Sequence, residues 1–311
     1  MGDSFRQEEG TGQVQRKPET EQPTASSRYF PLWGRVGVAL IAVAWALNWS
    51  LDGLRTHLLF FPLWLGYSLA VDGLVFRRSG TSPVARSARS YVLLFVVSAP
   101  AWWLFELINL RTMNWFYLGR ERFTPLGYFL LSTLSFSTVM PAVFGTAELV
   151  GTFTWVRRFR SGLRIKPTRT VLALLWTAGA CMLVLLLVWP RYFFPFVWGS
   201  VYCLVAPVNH VLGRPTLLDH TARGDWRPVL SLCLGALICG FFWEMWNFYS
   251  YPKWVYYVPF VDRFRIFEMP LAGYIGYLPF SLELFALFHV VWGFLPDRHT
   301  GRRYVLPSFD V

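Results

Sequence analysis

Apolar residues in this 311-residue chain gather into eight long runs separated by polar stretches, and the runs predict helices over roughly 32–50, 58–76, 90–110, 126–150, 170–189, 194–213, 228–249 and 271–295. A helix of about 20 apolar residues crosses the hydrocarbon core of a bilayer, and each run meets that length. Residues 1–30 lack apolar periodicity, are rich in Glu, Gln, Thr, Pro and Arg, and predict a disordered tail. They are not a signal peptide, because the first apolar run starts near Leu32 and seven more follow it. Several runs carry a proline (Pro62, Pro100, Pro141, Pro195, Pro207, Pro279), which predicts kinks inside a packed bundle where neighbouring helices satisfy the freed carbonyls.

The expected fold is therefore all-α, a polytopic membrane protein of eight transmembrane helices. Composition agrees: 54% of residues are hydrophobic and 15% charged, against about 25% charged in soluble domains. The net charge of +11 does not point to nucleic acid, since 21 of the 29 Lys and Arg fall in the two tails, the start of the first run and alternate connections, on one side of the membrane, and no nucleic-acid-binding module is visible. That bias places both termini in the cytoplasm, as expected for a multi-pass protein of a bacterial plasma membrane. The 16 Trp suit interfacial belts, or a site for a flat or cationic ligand. Cys181, Cys203, Cys233 and Cys239 lack zinc spacing and read as small packing residues.

The chain repeats itself. Phe61-Pro62 with Gly66 returns as Phe194-Pro195 with Gly199, Glu106 with Asn109 returns as Glu244 with Asn247, and Trp115-Phe-Tyr117 returns as Trp254-Val-Tyr256, at offsets of 133, 138 and 139. Four helices per copy, an even number, predict two parallel four-helix repeats related by an axis along the membrane normal, with a site between them. The expected organisation is a cytoplasmic tail (1–30), a first repeat (31–156), a basic cytoplasmic linker (157–169), a second repeat (170–296) and a cytoplasmic C-terminal tail (297–311).

Five carboxylates lie inside the runs, at a cost of roughly 2.5 to 3.5 kcal/mol each on insertion scales. Glu106 and Glu244 share a local phrase, Trp103-Leu-Phe-Glu106-Leu-Ile-Asn109 and Phe242-Trp243-Glu244-Met-Trp-Asn247, in which Glu and Asn share a helix face so that the amide can orient the acid. Glu283 is near the middle of the eighth run, four residues after Pro279, which is expected to bend that helix beside a polar cavity. These three are the candidate acid/base residues. Asn109, Asn247, Trp103, Trp243, Trp254 and Tyr256 are the candidate substrate-binding residues. The competing structural reading is that each Glu locks its helix to a neighbour.

Glu148 reads as snorkelling or paired with Arg157 or Arg158, and Asp72 as a similar pairing near Arg77. The hydroxyl-rich stretch Ser132 to Thr138 suits helix packing or a hydrated path. The two Trp-x-Tyr segments suit flat interfacial anchors or a lid. His210 and His289 lie in runs without zinc or di-iron spacing, and a bis-histidine haem between them stays open. No metal or cofactor is expected, and no nucleotide, magnesium-diphosphate or nucleophile-elbow motif is present.

The order Trp254-x-Tyr256, a glycine-rich helix start, then Gly276-Tyr-Leu-Pro279-Phe-Ser-Leu-Glu283, resembles the duplicated membrane domain of the heterodimeric type of lycopene cyclase, although that family carries Pro-x-Glu-Glu where this chain has a single Glu. The resemblance implies acid/base chemistry by intramembrane carboxylates on a carotenoid-like isoprenoid. The expected function is an enzyme or binding protein acting on an apolar lipid, with membrane lipids and an apolar small molecule as partners. The alternatives are a proton-coupled small-solute transporter, whose paired copies rock about a midplane site, and a non-catalytic scaffold.

Overall fold

The computed structural model describes residues 29–294, 304–306 and 309. Among them, eight helices are long and apolar enough to cross a membrane: Leu32–Ser50, Thr56–Ser79, Ala88–Thr112, Pro125–Gly151, Arg169–Val188, Pro190–Val211, Arg227–Phe248 and Leu271–Trp292. The chain is thus a mostly helical, multi-pass integral membrane protein. The expected tail over residues 1–28 lies outside the described residues, as does most of the C-terminal tail.

Local chemistry sets the helix ends. The Thr124 hydroxyl accepts the Gly127 N–H ahead of Pro125, and Thr168 accepts the Val171 N–H, so each side chain satisfies an orphan donor of a first turn. The fourth span breaks at Ser137–Thr138, between Pro125–Phe136 and Val139–Gly151. Its hydroxyls bond back to the same segment, Thr133 to Phe129 O, Ser135 to Leu131 O and Thr138 to Ser135 O, which satisfies polar groups that lipid would leave bare. The sixth span begins as a short helix and a 3-10 turn before Val197–Val211. In the eighth span, the expected bend at Pro279 is corrected. A 3-10 stretch, Leu271–Gly276, precedes the α-helix Tyr277–Trp292, so Pro279 falls in its first turn, where the missing N–H has no intrahelical acceptor to lose.

The first and second spans close on glycines. A Cβ at Gly37 would stand 2.5 Å from the Ala70 nitrogen, and one at Gly34 would stand 3.1 Å from the Gly73 Cα, so bulkier residues there would push the helices apart. Between the halves, the seventh span packs on the second part of the fourth, and the eighth packs on the third, sixth and seventh.

The connections after the third and seventh spans meet in an antiparallel pair, β1 (Trp115–Leu118) and β2 (Lys253–Tyr256), in the register Trp115 to Tyr256, Phe116 to Val255, Tyr117 to Trp254 and Leu118 to Lys253. These aromatic segments therefore bridge the two halves at one end of the bundle and do not lie apart as separate anchors. A smaller pair, β3 (Arg265–Ile266) and β4 (Met269–Pro270), follows.

At the opposite end, Arg86 grips Glu148 with two hydrogen bonds of 2.6 and 2.7 Å and also donates to Tyr304 O. This corrects the expectation that Glu148 pairs with Arg157 or Arg158. The short helix Pro83–Arg86 folds Arg86 over the end of the fourth span, whereas Arg157 and Arg158 lie exposed in the 3-10 turn beyond it. Asp72 likewise bonds Trp33, Ser82 and the Val84 N–H and does not pair with Arg77.

Candidate functional site

Glu106 lies on the third span, six residues from its end, and only one of its oxygens is shown with partners. Oε1 accepts from the indole of Trp102 at 3.0 Å, from the indole of Trp115 at 2.9 Å and from the hydroxyl of Tyr117 at 2.6 Å. Trp102 is one helical turn back on the same face, whereas Trp115 and Tyr117 come from β1, whose alternation turns both to the same side. Glu244 occupies the corresponding place on the seventh span. Its Oε1 accepts from Tyr256 of β2 at 2.7 Å and from Tyr277 of the eighth span at 2.8 Å. The Glu244 side chain is fully buried, and among the described residues its Oε2 has no hydrogen-bond partner.

The two asparagines do something other than orient their acids. Asn109 holds the Trp115 peptide, accepting from its N–H at 3.4 Å and donating to its carbonyl at 2.8 Å. Asn247 treats Trp254 alike, accepting at 2.9 Å and donating at 2.7 Å. Each amide thus copies the pairing edge of a strand and fastens β1 or β2 to the helix end from which the chain has just emerged.

Five side chains bonded to the two acids, Trp102, Trp115, Tyr117, Tyr256 and Tyr277, line one cavity of about 180 Å³. Its wall also holds Trp198, Trp243, Trp254, Phe60 and Phe136, and its hairpin end holds His57, Arg120 and Lys253. Trp198 stacks on Trp115 with ring centroids 6.0 Å apart, and Trp243 stacks on Tyr277 at the same separation. The carboxyls themselves sit behind this wall, so the cavity meets their chemistry through phenols and indoles. Burial first, and the adjacent Glu106 carboxyl second, hold the Tyr117 phenol well above its ordinary range; Tyr256 is held up in the same way by burial and Glu244. Both stay hydrogen-bond donors at neutral pH.

Of the sequence candidates, Trp243, Trp254 and Tyr256 line the cavity, and Glu106 and Glu244 stand one bond behind it. Trp103 points elsewhere, donating to Thr133 at 3.0 Å and stacking on Phe129. Glu283 is fully buried away from the cavity, with Oε1 3.4 Å from the Tyr202 N–H and Oε2 without a partner. Phe280, one turn earlier on the same helix, packs on the lining residues Trp102 and Trp198. His210 bonds Asp219 at 3.1 Å and the His289 Nδ1 meets the Phe285 carbonyl at 2.9 Å, so each imidazole has a protein partner on that nitrogen.

Trp102, Trp198 and Tyr277 were missed as lining residues. Trp102 carried a readable signal, its spacing of four from Glu106; Trp198 and Tyr277 carried none, since their place depends on how spans from the second half pack. Compared with known protein families, curated proteins and solved structures, the chain matches none.

Proposed function

We propose that this integral membrane protein binds and transforms an alkene-bearing lipid or isoprenoid, with Glu106 and Glu244 as its acid/base groups acting through the phenols that cover them. One observation carries this reading: both carboxyls hydrogen-bond to residues that line a single aromatic cavity. A phenol backed by a carboxyl can give its proton to an alkene carbon and be replenished from the carboxyl. The carboxylate left behind can then take a proton back from the neighbouring carbon through the same phenol, so an isomerisation or cyclisation needs no other reactant. Faces of Trp102, Trp115, Trp198 and Trp243 suit the cation formed between those steps. The resemblance to the cyclase membrane domain agrees with that chemistry.

The same reading takes the two halves as parallel repeats with both termini cytoplasmic. It is supported by the strand register, in which Trp115 faces Tyr256 as Tyr117 faces Trp254, the exchange a two-fold axis produces, and by the excess of basic residues at the end opposite the hairpin.

The test is organic extraction of the purified protein, followed by mass spectrometry, beside lipid and polyene profiles of the expressing cells. An apolar molecule should co-purify, and its turnover should cease in Glu106→Gln with Glu244→Gln. Unchanged profiles on expression of the unmodified chain, with nothing co-purifying, would refute the proposal.

A further inference from the structure

The cavity is not uniform along its length. Away from the hairpin its lining is Leu131, Phe136, Val139, Trp198 and Trp243, with the hydroxyls of Ser132 and Ser135 among them. Its charged lining residues, Arg120 and Lys253, both belong to the hairpin end, and His57 opens the second span there. Among the described residues no Asp or Glu lines it. Lys253 is already engaged by Glu268 and by the Phe248 carbonyl. Arg120 is exposed and lies over the Tyr128 ring at 4.6 Å, and among the described residues no acceptor is bonded to its guanidinium. His57 lines the same space, its ring edge-on to Phe123 at 5.5 Å, and among the described residues its buried Nδ1 has no partner. The Arg120 guanidinium, a donor lining the cavity with no bonded acceptor among the described residues, leaves that end suited to an anionic partner.

We propose that the hairpin end of the cavity recognises an anionic end group, a phosphate or a carboxylate, on an amphiphile whose apolar tail lies among the tryptophans. The inference rests on the cavity being the ligand site, as proposed above, and adds the class of ligand. Arg120 supplies the charge and its planar fork, which matches two oxygens of such a group.

The experiment titrates the full chain, in discs of zwitterionic lipid, by quenching of its tryptophan fluorescence with three probes: geranyl monophosphate, geraniol and inorganic phosphate. The expected result is that geranyl monophosphate binds about tenfold or more tightly than geraniol and that inorganic phosphate alone does not bind. Arg120→Gln, at an exposed position, should bring the two geranyl affinities together while leaving that of geraniol unchanged. Arg122→Gln, whose guanidinium lies 5.8 Å over Tyr251, should leave the preference intact. Equal affinities in the unmodified chain would overturn the anionic-group inference and leave the cavity reading standing. Binding of inorganic phosphate as tight as that of geranyl monophosphate would overturn the amphiphile in favour of a free-anion site. Failure of both geranyl probes to bind would overturn this inference and the proposed function together.

Discussion

Glu106 and Glu244 begin from nearly the same phrase and end under very different conditions. Glu106 is half-buried and shares one oxygen among two indoles and a phenol; Glu244 is fully buried, with two phenols on one oxygen and nothing on the other. Indoles only donate, whereas a phenol both donates and accepts and can pass a proton on. Two of the three donors on Glu106 can only hold it, whereas both donors on Glu244 can relay a proton. In the proposed reaction Glu244 is the principal acid and Glu106 the second, acting through Tyr117 alone.

The most severe way to break this comparison is to truncate each acid. Glu244→Ala should lower stability by about 4 kcal/mol, because two buried phenols lose their acceptor where water cannot replace it. Glu106→Ala should cost about 1–2 kcal/mol, since Glu106 is only partly buried and water can reach some of the space it leaves. Melting temperatures in detergent check both, and equal losses would erase the distinction. Glu244→Gln, which keeps an acceptor for both phenols but cannot supply the proton, should hold the melt within about 1 kcal/mol while abolishing turnover.

Next in size are the asparagines. Asn109→Ala and Asn247→Ala each untie a strand from its helix, at about 2 kcal/mol, and should do so alike if the halves are equivalent at this level. Hydrogen exchange read at the Trp115 and Trp254 amides measures it, and unchanged protection in either variant would contradict the assigned role. Tyr117→Phe and Tyr256→Phe should each cost about 1 kcal/mol and each lower turnover, Tyr256→Phe the more.

The smallest effect is in alkali. Both phenols are held above their ordinary value near 10, so the fold binds their protons more tightly than the unfolded chain does. Their contribution is complete below pH ~10 and is lost as pH rises beyond it. Melts between pH 7 and 9 should show no loss from this source. Phenolate absorbance from these two tyrosines, obtained by difference against the Phe variants, should be missing at pH 10, and its appearance there would contradict their burial.

The spans were legible because lipid imposes one requirement that composition alone records, about 20 apolar residues per crossing. The Glu-Asn phrases were legible because helical spacing puts residues three apart on one face. That spacing led to the wrong partner for the amide, however. It specifies which side chains are near each other on a helix, and Asn109 and Asn247 bond instead to backbone that has left the helix, five to seven residues on. Glu283 looked like a third member for its cost in lipid, yet a costly residue announces only that it is buried, and Glu283 is not among the residues that line the cavity.

By itself the sequence determined the number and extent of the helices, the two matched phrases and the residues able to donate or accept a proton, since these follow from length, period and side-chain chemistry. The tertiary structure alone decided that β1 and β2 join each other across 139 positions of chain, and that Tyr277 from the last span completes the Glu244 site. Only it could reveal that a single cavity lies between the two acids. Those are contacts between distant segments, which depend on how eight similar apolar surfaces choose their neighbours. Nothing in the local pattern of any one helix carries that choice.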